Sequence, residues 1–254
     1  MVQKKIYKLP VTSNKRICQD IYLLELKSDE LAQTMLPGQF LHVSCGSSGF
    51  QILRRPLSIF DCEADLVKLL YKVVGKGTAS LTDFQQGDIV DLIAPLGNSF
   101  VIQGSKPLII GGGIGVAPLR YLVRGFNRQG ISPTLILGYA NADQATMSQL
   151  FRSADCQLFS CTMDGTFGFK GNSCQLAAEM IQESEYDVVY ACGPNAMLAN
   201  LPPTKATTFL SLEAYMACGV GACLGCAVEK STGGFYHVCK DGPVFLRDEV
   251  IINV

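Results

Sequence analysis

The sequence predicts a β + α/β protein in three parts. These are an N-terminal antiparallel β-barrel over residues 1–102, a central α/β domain with a parallel sheet over residues 103–211, and a small C-terminal loop domain over residues 212–254. Three observations carry this. The first hundred or so residues break into short strand-like runs with turn signals between them. From about residue 105, apolar strands alternate with helical periods. The remainder is short-segmented, rich in glycine, and holds a dense group of cysteines.

In the first part, "DIYLLELKS" is strand-like, and "PGQFLHVSC" opens on a Pro-Gly turn and enters a second strand. "LVKLLYKVV" and "DIVDLIAPLG" continue the pattern, and only "GTASLTDF" suggests a short helical turn. In the second part, "KPLIIGGGIGVAPLRYLVRGFNRQG" reads as strand, glycine turn and helix, with Val116, Leu119, Leu122, Val123 and Phe126 on one helical face. "TLILGYA" and "CQLFSC" are strands. "NSCQLAAEMIQE" is a helix capped by Asn172, with Leu176, Ala177, Met180 and Ile181 as its apolar stripe. "DVVYACGP" is a strand whose Pro194 opens a short helix, and "TTFLSLE" closes the region. Such alternation implies a parallel sheet covered on both faces.

Composition narrows the function classes. The chain has 254 residues, 48% apolar and 17% charged, which suffices for a sizeable core. A net charge of −1 gives no reason to expect nucleic acid or an acidic membrane as partner. No apolar run is long enough to span a bilayer, and the lysines of "MVQKKIYKLPV" precede no apolar segment, so a cytoplasmic protein is expected. There, the eleven cysteines should be thiols or metal ligands rather than disulfides. The isolated ones read as small buried hydrophobes.

The tail cysteines are spaced Cys218-x4-Cys223-x2-Cys226-x12-Cys239. The first three follow the plant-type [2Fe–2S] spacing, with a distant fourth. Four thiolates converging on two irons require a tightly curled chain, and Gly219, Gly221 and Gly225 permit it. Structural zinc is the competing reading, because Cys223-x2-Cys226 would suit it. Zinc ribbons, however, use two separated C-x-x-C pairs, and Cys239 has no such neighbour.

"LIIGGGIGVAP" follows a strand and precedes a helix, as a phosphate-binding turn must. Gly112, Gly113 and Gly115 are its candidates, with Pro118 where the dinucleotide fingerprint has its third glycine. Cys192-Gly193-Pro194 ends another strand and could face the same crevice. Between Tyr139 and Leu150 there is no lysine or arginine to receive a 2′-phosphate, so NAD is expected over NADP.

The order of barrel, α/β domain and glycine loop resembles the ferredoxin–NADP reductase superfamily. "RRPLSI" is similar to its flavin motif Arg-x-x-Ser, here Arg55-Pro56-Leu57-Ser58, with Leu57 replacing the usual aromatic. "LYKVVGKGT" supplies Leu70, Tyr71, Lys72, Gly77 and Thr78, which the resemblance sets around the isoalloxazine and diphosphate of FAD. Arg55 suits phosphate bidentately, and the Gly77 and Thr78 amides and the Thr78 hydroxyl could join it. The plain alternative for Arg54, Arg55 and Lys72 is a solvated barrel face. "SLEAYMACGVGACLGCAV" followed by "HVCKDGPVF" narrows the match, and the whole chain resembles the electron-transfer subunits of NAD-dependent dihydroorotate dehydrogenase B.

The resemblance implies an FAD-binding β-barrel, an NAD-binding α/β domain and a [2Fe–2S] cluster-binding domain. It implies that Cys218, Cys223, Cys226 and Cys239 ligate the cluster and that NAD is the co-substrate. It also implies a partner: an FMN-containing catalytic subunit that oxidises dihydroorotate to orotate in pyrimidine biosynthesis, in a heterotetramer of two chains of each kind. NAD exchanges hydride and the cluster exchanges single electrons, and a flavin converts between them. No catalytic acid or base is then required of this chain. Cys192 reads as a positioning group near the nicotinamide, and the resemblance sets Asp164 and Gly165 at the border of the NAD site. Glu213 is a candidate helper there or in the cluster loop, with a solvated position as the equal alternative. His42 and His237 are the only histidines, and His237, two residues before Cys239, reads as a packing or hydrogen-bonding group rather than a ligand. Two alternatives remain. One is an NAD(P)H-linked flavin and iron–sulfur reductase subunit serving another redox partner, such as a sulfhydrogenase or transhydrogenase. The other is a binding module with structural zinc.

Overall fold

The structure is a computed structural model that describes residues 3–46 and 52–253. Its N-terminal part contains β1 (Lys5–Cys18), β2 (Ile21–Lys27), helix α1 (Asp29–Thr34), β3 (Phe40–Val43), β4 (Arg55–Ser58), β5 (Asp61–Glu63), β6 (Leu66–Lys72), the short helix α2 (Lys76–Ser80) and β7 (Ile89–Leu96). The strands are antiparallel, in the order β4-β3-β7-β1-β2-β6-β5, and curl into a half-barrel rather than a closed one. Alternate residues point inward, as a half-buried strand requires. Leu24 and Leu26 of β2, Leu41 and Val43 of β3, Val67 and Leu69 of β6, and Val90 and Leu92 of β7 share one core.

The long strand β1 carries little sequence signal, because Pro10 interrupts it and polar residues fill its second half. The structure shows why it nonetheless forms. Lys5 to Pro10 pair with β7, and past a register shift beginning at Val11 the strand pairs with β2. The proline sits where the strand changes partners.

The central part contains β8 (Pro107–Gly112), α3 (Leu119–Asn127), β9 (Thr134–Tyr139), α4 (Ala142–Ala145), β10 (Gln157–Thr162), β11 (Phe169–Lys170), α5 (Ser173–Glu183), β12 (Val188–Cys192), α6 (Asn195–Ala199) and β13 (Thr207–Ser211). The sheet order is β11-β10-β9-β8-β12-β13, all parallel. Its inner strands are buried on both faces, which explains their unbroken apolar runs. Ile109, Leu135 and Leu137 join Leu119, Leu122 and Phe126 of α3 in one core, while Leu108, Ile110 and Ile136 join Leu176 and Ala177 of α5 in another. Asn172 caps α5 by accepting from the Gln175 amide at 2.9 Å, and Gln175 accepts in return from the Asn172 amide at 2.8 Å.

The tail adds the hairpin β14 (Ala227–Glu229) and β15 (Phe235–His237), then β16 (Val244–Leu246). β16 pairs antiparallel with β13 at the edge of the central sheet. Asn98, just beyond the half-barrel, holds the same segment, donating to the Val244 carbonyl at 2.7 Å and accepting from its amide at 2.9 Å. Half-barrel and α/β sheet meet through α3. Asp61, fully buried, accepts from Arg120 at 2.9 Å and Arg124 at 2.5 Å, and Tyr121 donates to the Met35 carbonyl at 3.0 Å.

Candidate functional site

A cleft of about 650 Å³ opens where the half-barrel, the α/β sheet and the tail come together. Arg55, Pro56, Leu57 and Ser58 of β4, Leu70, Tyr71 and Lys72 of β6, and Thr78 of α2 all line it. Gly77 does not line it but shapes it: a Cβ there would lie 2.6 Å from the Arg55 guanidinium, so only glycine lets that side chain lie across the turn. Arg55 donates to the Leu53 carbonyl at 2.7 Å and meets no carboxylate among the described residues. Arg54, by contrast, is held by Asp91 at 2.5 Å. A guanidinium without a carboxylate, beside the unbonded first amides of α2, forms a cradle suited to phosphate.

Two of these side chains also have partners within the protein. The Thr78 hydroxyl is engaged within its own turn, accepting from the Val74 amide at 2.9 Å and donating to the Gly75 carbonyl at 3.2 Å, so a ligand would meet amides there. Tyr71 turns into the half-barrel core, stacked on Tyr22 and donating to Asn14 at 3.2 Å.

The glycine segment keeps the expected order of strand, turn and helix, but Val116 belongs to the turn rather than to the helix. Gly113 and Gly115 lie in a 3-10 turn over Gly113–Val116, and α3 begins only at Leu119. The turn, not the first residues of α3, therefore presents the strand end. Gly113 takes the left-handed region at φ 55°, with open space where a Cβ would stand. A Cβ on Gly115 would come within 2.6 Å of Gly193 Cα and 2.7 Å of the Cys192 carbonyl, so the two loops touch backbone to backbone. Gly112 backs onto Met197 and Pro194. The loops at the ends of β8 and β12 thus form one surface, which continues into the cleft through Ile114, Ala117 and Pro118. Cys192 is buried, and burial, then the Glu213 carboxylate, push its thiol well up, which leaves it a neutral packing group. Asp164 and Gly165 follow β10. Asp164 accepts from the Thr166 hydroxyl at 2.7 Å, and neither residue reaches the cleft.

The cysteine loop forms the remaining wall. Residues 212–217, Gly225 and Pro243 line the cleft, so the loop bearing the four thiols abuts it directly. Gly219, Gly221 and Leu224 all have positive φ, at 70°, 85° and 61°. These turns aim amides at sulfur. Val220, Ala222 and Cys223 donate to Cys218 Sγ at 3.3–3.4 Å, Gly221 donates to Cys239 Sγ at 3.1 Å, and Cys239 donates to Cys226 Sγ at 3.4 Å. Burial alone would raise the Cys218 thiol, but the amides of Val220, Cys223 and Ala222 outweigh it and hold the group at about 6. Burial and the neighbouring Cys226 push Cys239 up to about 12. Amides already directed at sulfur are what an iron–sulfur cluster requires of its loop. Among the described residues no three His, Cys, Asp or Glu side chains gather as ligands of a single ion would, while a binuclear cluster spreads its thiolates over two irons. His237 pairs with Asp241 at 3.7 Å. His42, buried on β3, stands against Gly219, and burial, then Arg54, lower its pKa.

Sequence reasoning missed Phe40, Pro243 and the strap over residues 212–217, all of which line the cleft. Within the strap only Glu213 drew attention. Surrounding protein raises its carboxyl above the ordinary range although the residue opens onto the cleft. Tyr215 lines the cleft at 99% exposure, an aromatic ring that no sequence pattern marked.

Residues 213–251 match the family model described as the iron-sulfur cluster binding domain of dihydroorotate dehydrogenase B. The whole chain is similar to proteins named dihydroorotate dehydrogenase B (NAD(+)), electron transfer subunit. Identity is 37% for that of Enterococcus faecalis, covering 99% of this chain and 100% of the relative. It is 34% for that of Fusobacterium nucleatum, covering 98% and 100%. For that of Caldanaerobacter subterraneus it is 38%, covering 96% and 98%. Among solved structures, an NADH-dependent reduced ferredoxin-NADP oxidoreductase studied for flavin-based electron bifurcation superposes with a TM-score of 0.87 at 27% identity, covering 97% of this chain and 90% of that one. A ferredoxin NADP+ reductase from Neisseria gonorrhoeae with bound FAD and NADP shares the fold, with a TM-score of 0.64 at 15% identity over 78% of this chain and 89% of that one.

Proposed function

This chain belongs to the family of electron transfer subunits of NAD(+)-dependent dihydroorotate dehydrogenase B, and from that premise we infer how its residues divide the work. It is the electron-transfer component of an oxidoreductase complex and works with FAD, a [2Fe–2S] cluster and NAD. FAD supplies the conversion between hydride and the single electrons that a [2Fe–2S] cluster carries.

In this reading Arg55 and the amides of Gly77 and Thr78 bind the FAD diphosphate. Pro56, Leu57, Ser58, Leu70, Tyr71 and Lys72 border the isoalloxazine. The loops of Gly112, Gly113 and Gly115 and of Cys192, Gly193 and Pro194 orient the nicotinamide toward it. Cys218, Cys223, Cys226 and Cys239 ligate the cluster. The strap over residues 212–217 keeps water from the cleft. The observation that carries the reading is that one cleft is lined at once by β4 and β6, by the turn after β8 and by the cysteine loop, so a flavin there would touch both of its exchange partners.

The catalytic partner would be an FMN-containing subunit, with two chains of each kind. Exposed Val220 and Leu224 beside exposed Cys223 support a docking face there, since apolar residues around an outlet favour a protein neighbour. A cytoplasmic setting suits eleven cysteines that are all unpaired.

The test is NAD reduction driven by dihydroorotate in the complex reconstituted with an FMN subunit. Cys226→Ser should abolish it while sparing NADH oxidation by an artificial acceptor that draws on FAD directly. Activity with another donor but none with dihydroorotate would favour the second reading, a reductase subunit with a different redox partner, to which the similarity with the ferredoxin-NADP oxidoreductase points.

A further inference from the structure

His42 is 1% exposed, and neither ring nitrogen has a hydrogen-bond partner of good geometry, although backbone groups of Arg54 and Cys218 lie beside the ring. Buried polar groups without partners are rare in folded proteins, and each calls for a cause. The ring's surroundings supply one. A Cβ on Gly219 would stand 2.7 Å from His42 Nδ1 and 3.1 Å from Cγ, so the Nδ1 edge faces the cysteine loop one residue past Cys218. Gly219 is therefore required twice, by its φ of 70° and by the imidazole that fills the space of its missing side chain. On β3, His42 pairs opposite Pro56, which lines the cleft, and shares its strand face with Phe40, which also lines it. The ring thus stands between the flavin cleft and the cysteine loop. The loop's own amides serve Cys218, Cys226 and Cys239, and a thiolate or sulfide accepts more than one donor.

We propose that His42 is a positioning residue for the iron–sulfur centre, its imidazole N–H donating a hydrogen bond to the sulfur shell of the cluster held by the 218–239 loop and so raising the cluster's reduction potential. The proposal rests on the cluster reading given above. A hydrogen bond to sulfur favours the reduced, more negative cluster, so losing it makes the cluster harder to reduce. A potential tuned in this way would set how readily electrons cross between cluster and flavin without altering either binding site.

The experiment is a redox titration of the cluster, followed by electron paramagnetic resonance, in the purified holoprotein. His42→Leu removes both nitrogens at similar volume, and His42→Gln restores a side-chain N–H. With iron and sulfide content unchanged, His42→Leu should shift the reduction equilibrium about tenfold toward the oxidised form, which is about 59 mV for a one-electron couple. His42→Gln should stay within about threefold of wild type. A loaded His42→Leu cluster at the wild-type potential overturns the proposal alone. Wild-type protein without iron and sulfide overturns the cluster reading and this proposal with it. A second measurement needs no substitution at His42. With 15N-histidine incorporated, pulsed resonance on the reduced cluster should detect a weakly coupled imidazole nitrogen that persists in His237→Gln. Absence of that coupling overturns the proposal even if the His42 variants do not fold.

Discussion

Gly115→Ala tests the proposed nicotinamide site most directly. The substitution adds one methyl group and no backbone strain, because Gly115 does not adopt a positive φ. The new Cβ would lie 2.6 Å from Gly193 Cα and 2.7 Å from both Gly193 N and the Cys192 carbonyl. Ordinary contact begins at 3.4 Å, so the two loops must part by about 0.8 Å. All three neighbours are backbone atoms, and none can rotate away. Cys192 is paired with Gly111 in the ladder between β12 and β8, so the loops must separate just where the strands hold them together. A displacement of roughly an ångström at a reacting centre can cost about a hundredfold in rate. Stopped-flow reduction of the bound flavin by NADH should slow by about that factor. FAD and iron content should not change, because the cradle around Arg55 and the cysteine loop lie elsewhere. A rate within about threefold of wild type, at wild-type cofactor content, would refute the assignment of these two loops to the nicotinamide.

Arg55→Ala should weaken FAD binding by roughly 1.5–3 kcal/mol, or one to two orders of magnitude in Kd, as measured by flavin release on dilution. Asp61→Asn keeps the acceptor for the Cys62 amide, 2.9 Å away, but leaves Arg120 and Arg124 facing each other without a counter-charge. It should destabilise the protein by about 3–5 kcal/mol, read as a lower urea midpoint, and a loss under about 1 kcal/mol would count against a buried ion pair between the two halves. In protein stripped of its cluster, Cys218 at about 6 should be about nine-tenths thiolate at pH 7, and Cys239, at about 12, almost wholly thiol. Iodoacetamide should therefore label Cys218 ahead of Cys239, and labelling of Cys218 should fall as pH drops through 6. Equal labelling of both residues would contradict the amide hydrogen bonds seen at Cys218.

Where local chemistry decides an element, the sequence was sufficient. Asn172 before an apolar stripe announced a capped helix, and the unbroken apolar strands of the second part announced burial on both faces. Legibility failed where a residue's task is settled by what faces it. The Thr78 hydroxyl looked free for phosphate but is engaged in its own turn, and Tyr71, which lines the cleft, is also stacked into the core. β1 was hidden because its proline and polar residues read as a break, and only pairing with β7 on one stretch and β2 on the next makes it a strand. The strap over residues 212–217 has neither a strand nor a helical period, so nothing in its own pattern announced that it would wall the cleft.

By itself, the sequence determined the three-part order, the types of most elements, the cysteine spacing that calls for a binuclear cluster, and the arginine and glycines suited to phosphate. All of these depend on neighbours a few residues apart, where covalent geometry and periodicity act directly. Tertiary structure alone decided that the three parts share one cleft, that Gly115 touches Gly193, that Asp61 locks α3 to the half-barrel, and that His42 fills the space beside Gly219. These contacts join residues from 59 to 177 positions apart, and no local pattern encodes them. They arise because burying both faces of the parallel sheet and the inner face of the half-barrel leaves the chain one economical way to bring its ends together.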